Sequence, residues 1–158
     1  MTTYQRRVQN FLRRHEARRQ LRYPELPRRA RAAIRQYVGE EEGAVAMLRQ
    51  LRARKFGVVT VPTIALIKLI WDFRDAPNEK LSMEHPAFIE YCHWYREGSG
   101  VVDHGTSRWA VILDVRAGDV LQDGWHRFHS YVARGHPTVL ATFLERDKGD
   151  PCLPYSAK

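Results

Sequence analysis

The residues from Asp123 to Arg127 could bind phosphate and act on it. The apolar run Val120–Leu121 ends just before them and an amphipathic run follows, which predicts a strand that turns directly into a helix. Asp123 can cap the first amides of this helix, and Gly124 lets the backbone turn and lets a ligand approach. The amides from Gly124 to Arg127 would then face a phosphate at the positive end of the helix.

Three side chains of this turn have types that suit catalysis. Arg127 offers a two-pronged donor to phosphate oxygens, and His126 can donate a hydrogen bond or shuttle a proton. Asp123 could hold Mg²⁺ or orient water. The same residues are also typical of an ordinary helix start with an exposed arginine and histidine, so both interpretations stay open.

Other spacings that could hold a metal are weaker. His126 and His129 lie three apart on one face of the predicted helix, but packing or solvent exposure explains such a pair better than a metal does. Loop residues could coordinate Mg²⁺ beside a phosphate, although loop aspartates mostly form turns. These are Asp103, His104, Asp119 and Asp123.

The predicted elements before this turn begin with helices. The first runs from Thr2 or Thr3 to about Leu21, and the second from Arg28 to Val38. A third begins with the acidic triplet at 40–42, runs to about Lys55 and turns Val45, Leu48 and Leu51 to one face. A β-branched strand follows over Val58–Val61, whereas the stretch 64–73 is ambiguous between helix and strand.

The later elements form a simpler series. Pro86–Glu97 is predicted to be a helix, and Trp109–Val115 with Val120–Gln122 has the pattern of a hairpin. The helix from Asp123 ends near Gly135, and Val139–Leu144 is the closing strand. Residues 146–158 read as a tail.

Basic charge is confined to the first third of the chain. Residues 1–56 hold 15 Lys/Arg against 5 Asp/Glu, whereas residues 57–158 hold 11 against 13. This asymmetry predicts a basic helical segment at 1–56 that attaches to a polyanion such as DNA, unless it is only a solvated face. The predicted DNA-binding side chains are Arg6, Arg7, Arg13, Arg14, Arg18 and Arg19.

Composition sets the broad class of the chain. Cys92 and Cys152 are far apart and have no metal-like spacing, which favours a reducing compartment. The apolar run 57–71 is interrupted by Lys68 and is too short for a membrane span. With no secretory signal visible, we expect a soluble cytoplasmic protein without membrane contact.

The sequence Asp123-Gly124-Trp125-His126-Arg127, followed by Tyr131, Gly135 and the strand 139–143, resembles the signature of the ParB/sulfiredoxin superfamily. The resemblance covers about 57–145 and implies an α+β domain with a small mixed sheet. It implies that nucleotide phosphates bind at Gly124, Trp125, His126 and Arg127. The loop 71–78 resembles one that contacts nucleotide or DNA in such domains, which adds Arg74 and Asn78 to the predicted cofactor site.

Two departures narrow the implied activity. Trp125 stands where sulfiredoxins need a cysteine, which excludes that reaction. The chain ends soon after the motif strand, without the helix-turn-helix of the partition proteins. A short chain with an arginine-rich front is similar to small plasmid-borne members of the superfamily that act in fertility inhibition, where they block transfer of other DNA.

The resulting expectation is a hydrolase of ATP or another nucleoside triphosphate that uses Mg²⁺ and acts with DNA. Asp123, His126 and Arg127 are its predicted catalytic residues, with Asp123 as the metal ligand. A nuclease activity in the same pocket is compatible with this expectation. The alternative is a non-catalytic inhibitor that binds nucleic acid, a nucleoprotein or a secretion-system protein, and a small-molecule kinase is a third possibility.

Overall fold

The computed structural model describes residues 3–39, 43–73, 108–115 and 120–145, and these ranges form an α+β fold. The helices are α1 (Thr3–Arg14), α2 (Arg28–Gly39), α3 (Ala44–Arg52), α4 (Thr63–Phe73) and α5 (Trp125–Ala133), with a 3₁₀ turn at Tyr23–Glu25. The strands are β1 (Arg18–Arg22), β2 (Lys55–Pro62), β3 (Val111–Leu113), β4 (Leu121–Asp123) and β5 (Thr138–Leu144).

The five strands form one mixed sheet in the order β1-β2-β5-β3-β4. Its centre is the antiparallel pair β2 and β5, in register from Phe56 opposite Leu144 to Pro62 opposite Thr138. Strand β3 runs parallel to β5, and β4 returns antiparallel beside β3 as the second half of the predicted hairpin. The turn at Gly124 therefore lies at the end of β4, an outer strand of the sheet that the structure describes.

Each face of the sheet carries its own apolar core. Val59 and Val61 of β2 point to one face, which α1, α4 and α5 cover, whereas Phe56 and Val58 point to the other face, which α2 and α3 cover. Successive residues of a strand alternate between faces, so β2 reads as a continuous apolar run because both of its sides are buried. This explains why its sequence shows no alternation.

The predicted first helix is wrong beyond Arg14. The amide of Ala17 bonds to the carbonyl of Leu12, Glu16 adopts a φ of 50°, and the chain then extends as β1 along β2. Exposed residues of β1 alternate with partly covered ones, a period of two that the arginine-rich composition conceals. The basic segment is therefore not wholly helical, and the predicted boundary after residue 56 lies inside β2.

The other predictions for this part of the chain have mixed outcomes. Helix α3 begins at Ala44 and ends at Arg52, and Val45 is 76% exposed instead of facing the core. Strand β2 already starts at Lys55, and the ambiguous stretch 64–73 belongs to helix α4. The predicted α2, hairpin, α5 and β5 are confirmed within a few residues. The acidic triplet 40–42, the helix at 86–97 and the tail lie outside the described residues.

In the ranges that the structure describes, no helix combines the length and apolarity that crossing a lipid bilayer requires.

Candidate functional site

The turn that leads into α5 depends on Gly124. Its φ is 94°, and a Cβ at this position would lie 3.0 Å from Nη2 of Arg127 and 3.1 Å from the Cα of Val111. Glycine is therefore required both for the backbone conformation and for the close approach of Arg127. Gly124, and not Asp123, is the N-cap residue of α5, so the predicted capping role of Asp123 is wrong.

Arg127 is enclosed by the protein, with a side chain only 8% exposed. Its Nη2 donates to Oδ2 of Asp123 at 3.0 Å, and its Nη1 donates to Oε1 of Gln36 at 2.8 Å. The structure thus brings Asp123 and Arg127 together, but as an internal ion pair. This guanidinium ties α5 to both β4 and α2, which leaves little of it for a phosphate.

The remaining residues of the turn divide between core and surface. Trp125 is half-buried, and its ring meets the ring of Phe128 edge to face at 6.2 Å. His126 is exposed at the first turn of α5. The ring of His129 lies 6.2 Å from that of Trp125, which gives it a packing role.

Several predicted ligands lie outside the described residues. These are Arg74, Asn78, Asp103, His104 and Asp119. Across 3–39, 43–73, 108–115 and 120–145, no three His, Cys, Asp or Glu side chains converge as a metal site. Asp123, the predicted metal ligand, instead contacts the guanidinium of Arg127.

The predicted DNA-binding arginines are placed in three different ways. Arg6, Arg7, Arg13 and Arg14 are exposed on α1, and Arg18 is exposed on β1. Arg7 and Arg14 line a cavity of about 280 Å³ between α1 and α4, together with Lys68 and His15. Arg19 instead forms an ion pair with Glu145 and so serves the fold.

A second basic cluster lies on α2, where sequence reasoning had missed it. Arg28, Arg31 and Arg35 line a cavity of about 480 Å³ whose walls include the aromatic rings of Tyr23 and Trp109. The three arginines are spaced by three and four residues, so they share one face of the helix. That spacing is visible in the sequence and could have identified the cluster.

Arg29 and Arg108 belong to a neighbouring cavity of about 400 Å³, which Thr60, Tyr131, His136 and Thr138 also line. Burial raises the pKa of the Tyr131 phenol, and the backbone of Leu140 and the guanidiniums of Arg29, Arg127 and Arg108 oppose this shift. Three cationic groups therefore act on one phenol. The Nε2 atom of His136 is buried and makes no hydrogen bond to the described residues.

The linings of these cavities overlap in part. The first contains Arg28 and Trp109, and the second contains their chain neighbours Arg29 and Arg108. The second also shares Thr60 and Leu140 with a cavity of about 420 Å³ beside Arg18. That cavity shares His15 with the one between α1 and α4. Together they form what we call the basic track, defined by Arg35, Arg31, Arg28, Arg29, Arg108, Arg18, Arg14, Arg7 and Lys68. In the part of the chain that the structure describes, Glu16 is the one Asp or Glu residue that lines any of these four cavities.

Comparison of the chain with protein-family models, with curated proteins and with solved structures finds no match.

Proposed function

We propose that this protein binds the phosphate backbone of a nucleic acid along the basic track, as a binding protein rather than through chemistry at the Gly124 turn. The observation that carries the proposal is the charge of the basic track, because nine Lys or Arg residues and one carboxylate residue, Glu16, line these four cavities in the described part of the chain. A small-molecule anion needs only two or three such cations. A set of nine suits a polymer with regularly spaced charges.

The physics of such binding is largely that of counterion release. Each phosphate that the track neutralises frees condensed cations from the nucleic acid, so the affinity falls as salt rises. The slope of log K against log salt is about −0.7 to −0.9 per phosphate contacted. We therefore expect steep salt dependence and little dependence on base sequence.

The nucleoside triphosphate hydrolase that the ParB/sulfiredoxin resemblance implies is the competing proposal. The exposed side chain of His126 beside the Gly124 turn favours it, because a ligand at that turn could reach the imidazole. The arrangement of Arg127 speaks against it, since the guanidinium already bonds to Asp123 and Gln36. An Mg²⁺-dependent release of phosphate that is lost in His126→Ala would establish the hydrolase and refute the binding-only proposal.

The binding proposal is tested by removing two arginines from the track and two from elsewhere. The variant Arg28→Gln/Arg35→Gln removes two charges from the track. The control variant Arg49→Gln/Arg52→Gln removes the same charge from α3, at exposed positions that line none of the four cavities. Fluorescence anisotropy with a labelled 20-nucleotide strand would give affinity as a function of salt.

We expect the α2 variant to lose about tenfold or more in affinity. Its slope of log K against log salt should be shallower by the equivalent of about one to two phosphate contacts. The α3 variant should lose far less. Equal losses in the two variants would mean that only net charge matters, and the track would then have no role.

A further inference from the structure

We infer that the cavity between Tyr23, Trp109 and the arginine face of α2, here called the aromatic pocket, receives an unpaired base, so that the protein prefers single-stranded nucleic acid. This inference rests on the proposed function and assigns a substrate class to one part of the basic track. The pocket combines the two groups that single strands require, which are flat rings for the bases and fixed cations for the phosphates.

Contacts from other elements hold the Tyr23 ring and the backbone of Trp109. The Tyr23 hydroxyl donates to the carbonyl of Arg31 at 3.3 Å, and its ring meets the Phe56 ring at 6.4 Å. The carbonyl of Trp109 accepts from the Tyr131 hydroxyl at 3.0 Å. Both rings are only half-buried, so each keeps surface that faces the cavity. Because its hydroxyl and ring are already held, Tyr23 loses little conformational freedom when a base stacks on it.

The charges around the pocket are suited to the rest of a nucleotide. Arg28, Arg31 and Arg35 line the same cavity, and its described lining includes no Asp or Glu. Arg31 already donates from Nη1 to the carbonyl of Pro24 at 3.0 Å, which fixes the direction of its guanidinium. A volume of about 480 Å³ lies within the usual range for sites that hold a small organic group.

The pocket also explains how single and double strands would be distinguished. In a duplex each base is stacked and paired inside the helix, so it reaches a protein ring only after it leaves the stack. In a single strand the base is already accessible. Arginines of the track would attract both forms through their phosphates, whereas the aromatic pocket would add affinity for the single strand alone.

The experiment compares three ligands at one salt concentration. They are a 20-nucleotide DNA strand, an RNA strand of the same sequence, and the corresponding DNA duplex, each labelled for anisotropy. Trp109→Ala should lose about tenfold or more of the affinity for the single strands and little of the affinity for the duplex. Trp109→Phe keeps a flat ring and should retain most of the single-strand affinity. The relative affinity of the parent for DNA and RNA strands identifies the preferred sugar.

Tryptophan emission gives a second measurement, which remains informative even if the Trp109→Ala variant does not fold. Binding of a single strand should quench part of the emission of the parent, and Trp109→Phe should remove most of that quench while it still binds. Tyr23→Leu removes the other aromatic ring of the pocket and should also weaken single-strand binding selectively.

The outcomes separate this inference from the function on which it rests. If Arg28→Gln/Arg35→Gln weakens every ligand but Trp109→Ala and Tyr23→Leu change none, the protein binds backbone only and the aromatic pocket is refuted. If the parent binds none of the three ligands, the proposed function fails as well.

Discussion

Arg19 and Glu145 form a two-pronged ion pair across the sheet, with Nε 2.5 Å from Oε1 and Nη2 2.9 Å from Oε2. Arg19 belongs to β1, and Glu145 directly follows β5, a strand that β2 separates from β1. The guanidinium also lies 5.6 Å from the centre of the Phe143 ring and donates to Gln9 of α1 at 2.9 Å. Hydrogen bonding to Glu145 raises the pKa of Arg19, although burial opposes this effect. One side chain thus joins β1, α1 and the end of β5.

Glu145→Gln should therefore destabilise the fold. It leaves the partly buried guanidinium of Arg19 without its counter-charge, which we expect to cost about 1–3 kcal/mol of unfolding free energy in a urea titration. Glu25→Gln is the matched control, because the Glu25 pair with Arg22 is exposed and 3.8 Å long. Its cost should be below about 1 kcal/mol. Equal losses would mean that the buried pair contributes no more than a surface pair.

Gly57→Ala should be among the most damaging small substitutions in the chain. A Cβ at this position would lie 2.0 to 2.6 Å from three ring atoms of Phe143, which is itself only 1% exposed. Because the buried ring has little room to move, we expect a loss of about 2–4 kcal/mol in urea unfolding. Gly39→Ala provides the control, since nothing lies within 4 Å of its Cβ position. A neutral Gly57→Ala would show that the ring can shift.

Arg127→Gln should reduce stability more than it reduces nucleic-acid affinity. The substitution removes the link between α5 and α2 and leaves Asp123 without its ion-pair partner, at a cost of about 2–3 kcal/mol. Thermal unfolding would measure the loss, and anisotropy at a temperature where the variant is folded would measure binding. A stable Arg127→Gln that binds weakly would contradict the structural role and restore the predicted phosphate contact.

His15 predicts a dependence of stability on acid pH. Burial lowers its pKa and the nearby charge of Arg14 lowers it further, so the folded chain favours the neutral ring. The stability that follows from this preference is present above the unfolded pKa of about 6.5 and is lost as the pH falls through the folded pKa. His15→Gln should therefore make the decline of unfolding free energy between about pH 7 and pH 5 shallower. An unchanged decline would exclude His15 as a cause.

The fold around the turn was predictable because its determinants are local. The apolar run Trp109–Val115, the Asp-Gly step and the periodicity after Trp125 each act over a few residues, and the predicted hairpin, α5 and β5 are present. The structural role of Arg127, by contrast, was not predictable from local sequence. Its partner Gln36 is 91 positions away, so only tertiary packing shows that this arginine serves the fold.

The N-terminal third was harder for a related reason. Arginine stems can cover apolar surface while their charges reach water, so Arg18–Arg22 reads as a polar helical face although it forms a strand. The basic track is assembled from several separate segments of the chain, which no linear pattern joins. Within one segment, however, the spacing of Arg28, Arg31 and Arg35 predicts a basic helix face as clearly as the arginines of the first helix do.

Strand β1 also bears on whether copies of this protein would pair along their sheet edges. In the part of the sheet that the structure describes, β1 is an outer strand, its pairing with β2 shifts register between Arg18 and Leu21, and Gln20 adopts a φ of 63°. Arg18 and Arg22 stand exposed along it. A distorted edge strand that carries like charges is a poor template for strand addition by another copy. Strand β1 therefore disfavours edge-to-edge aggregation.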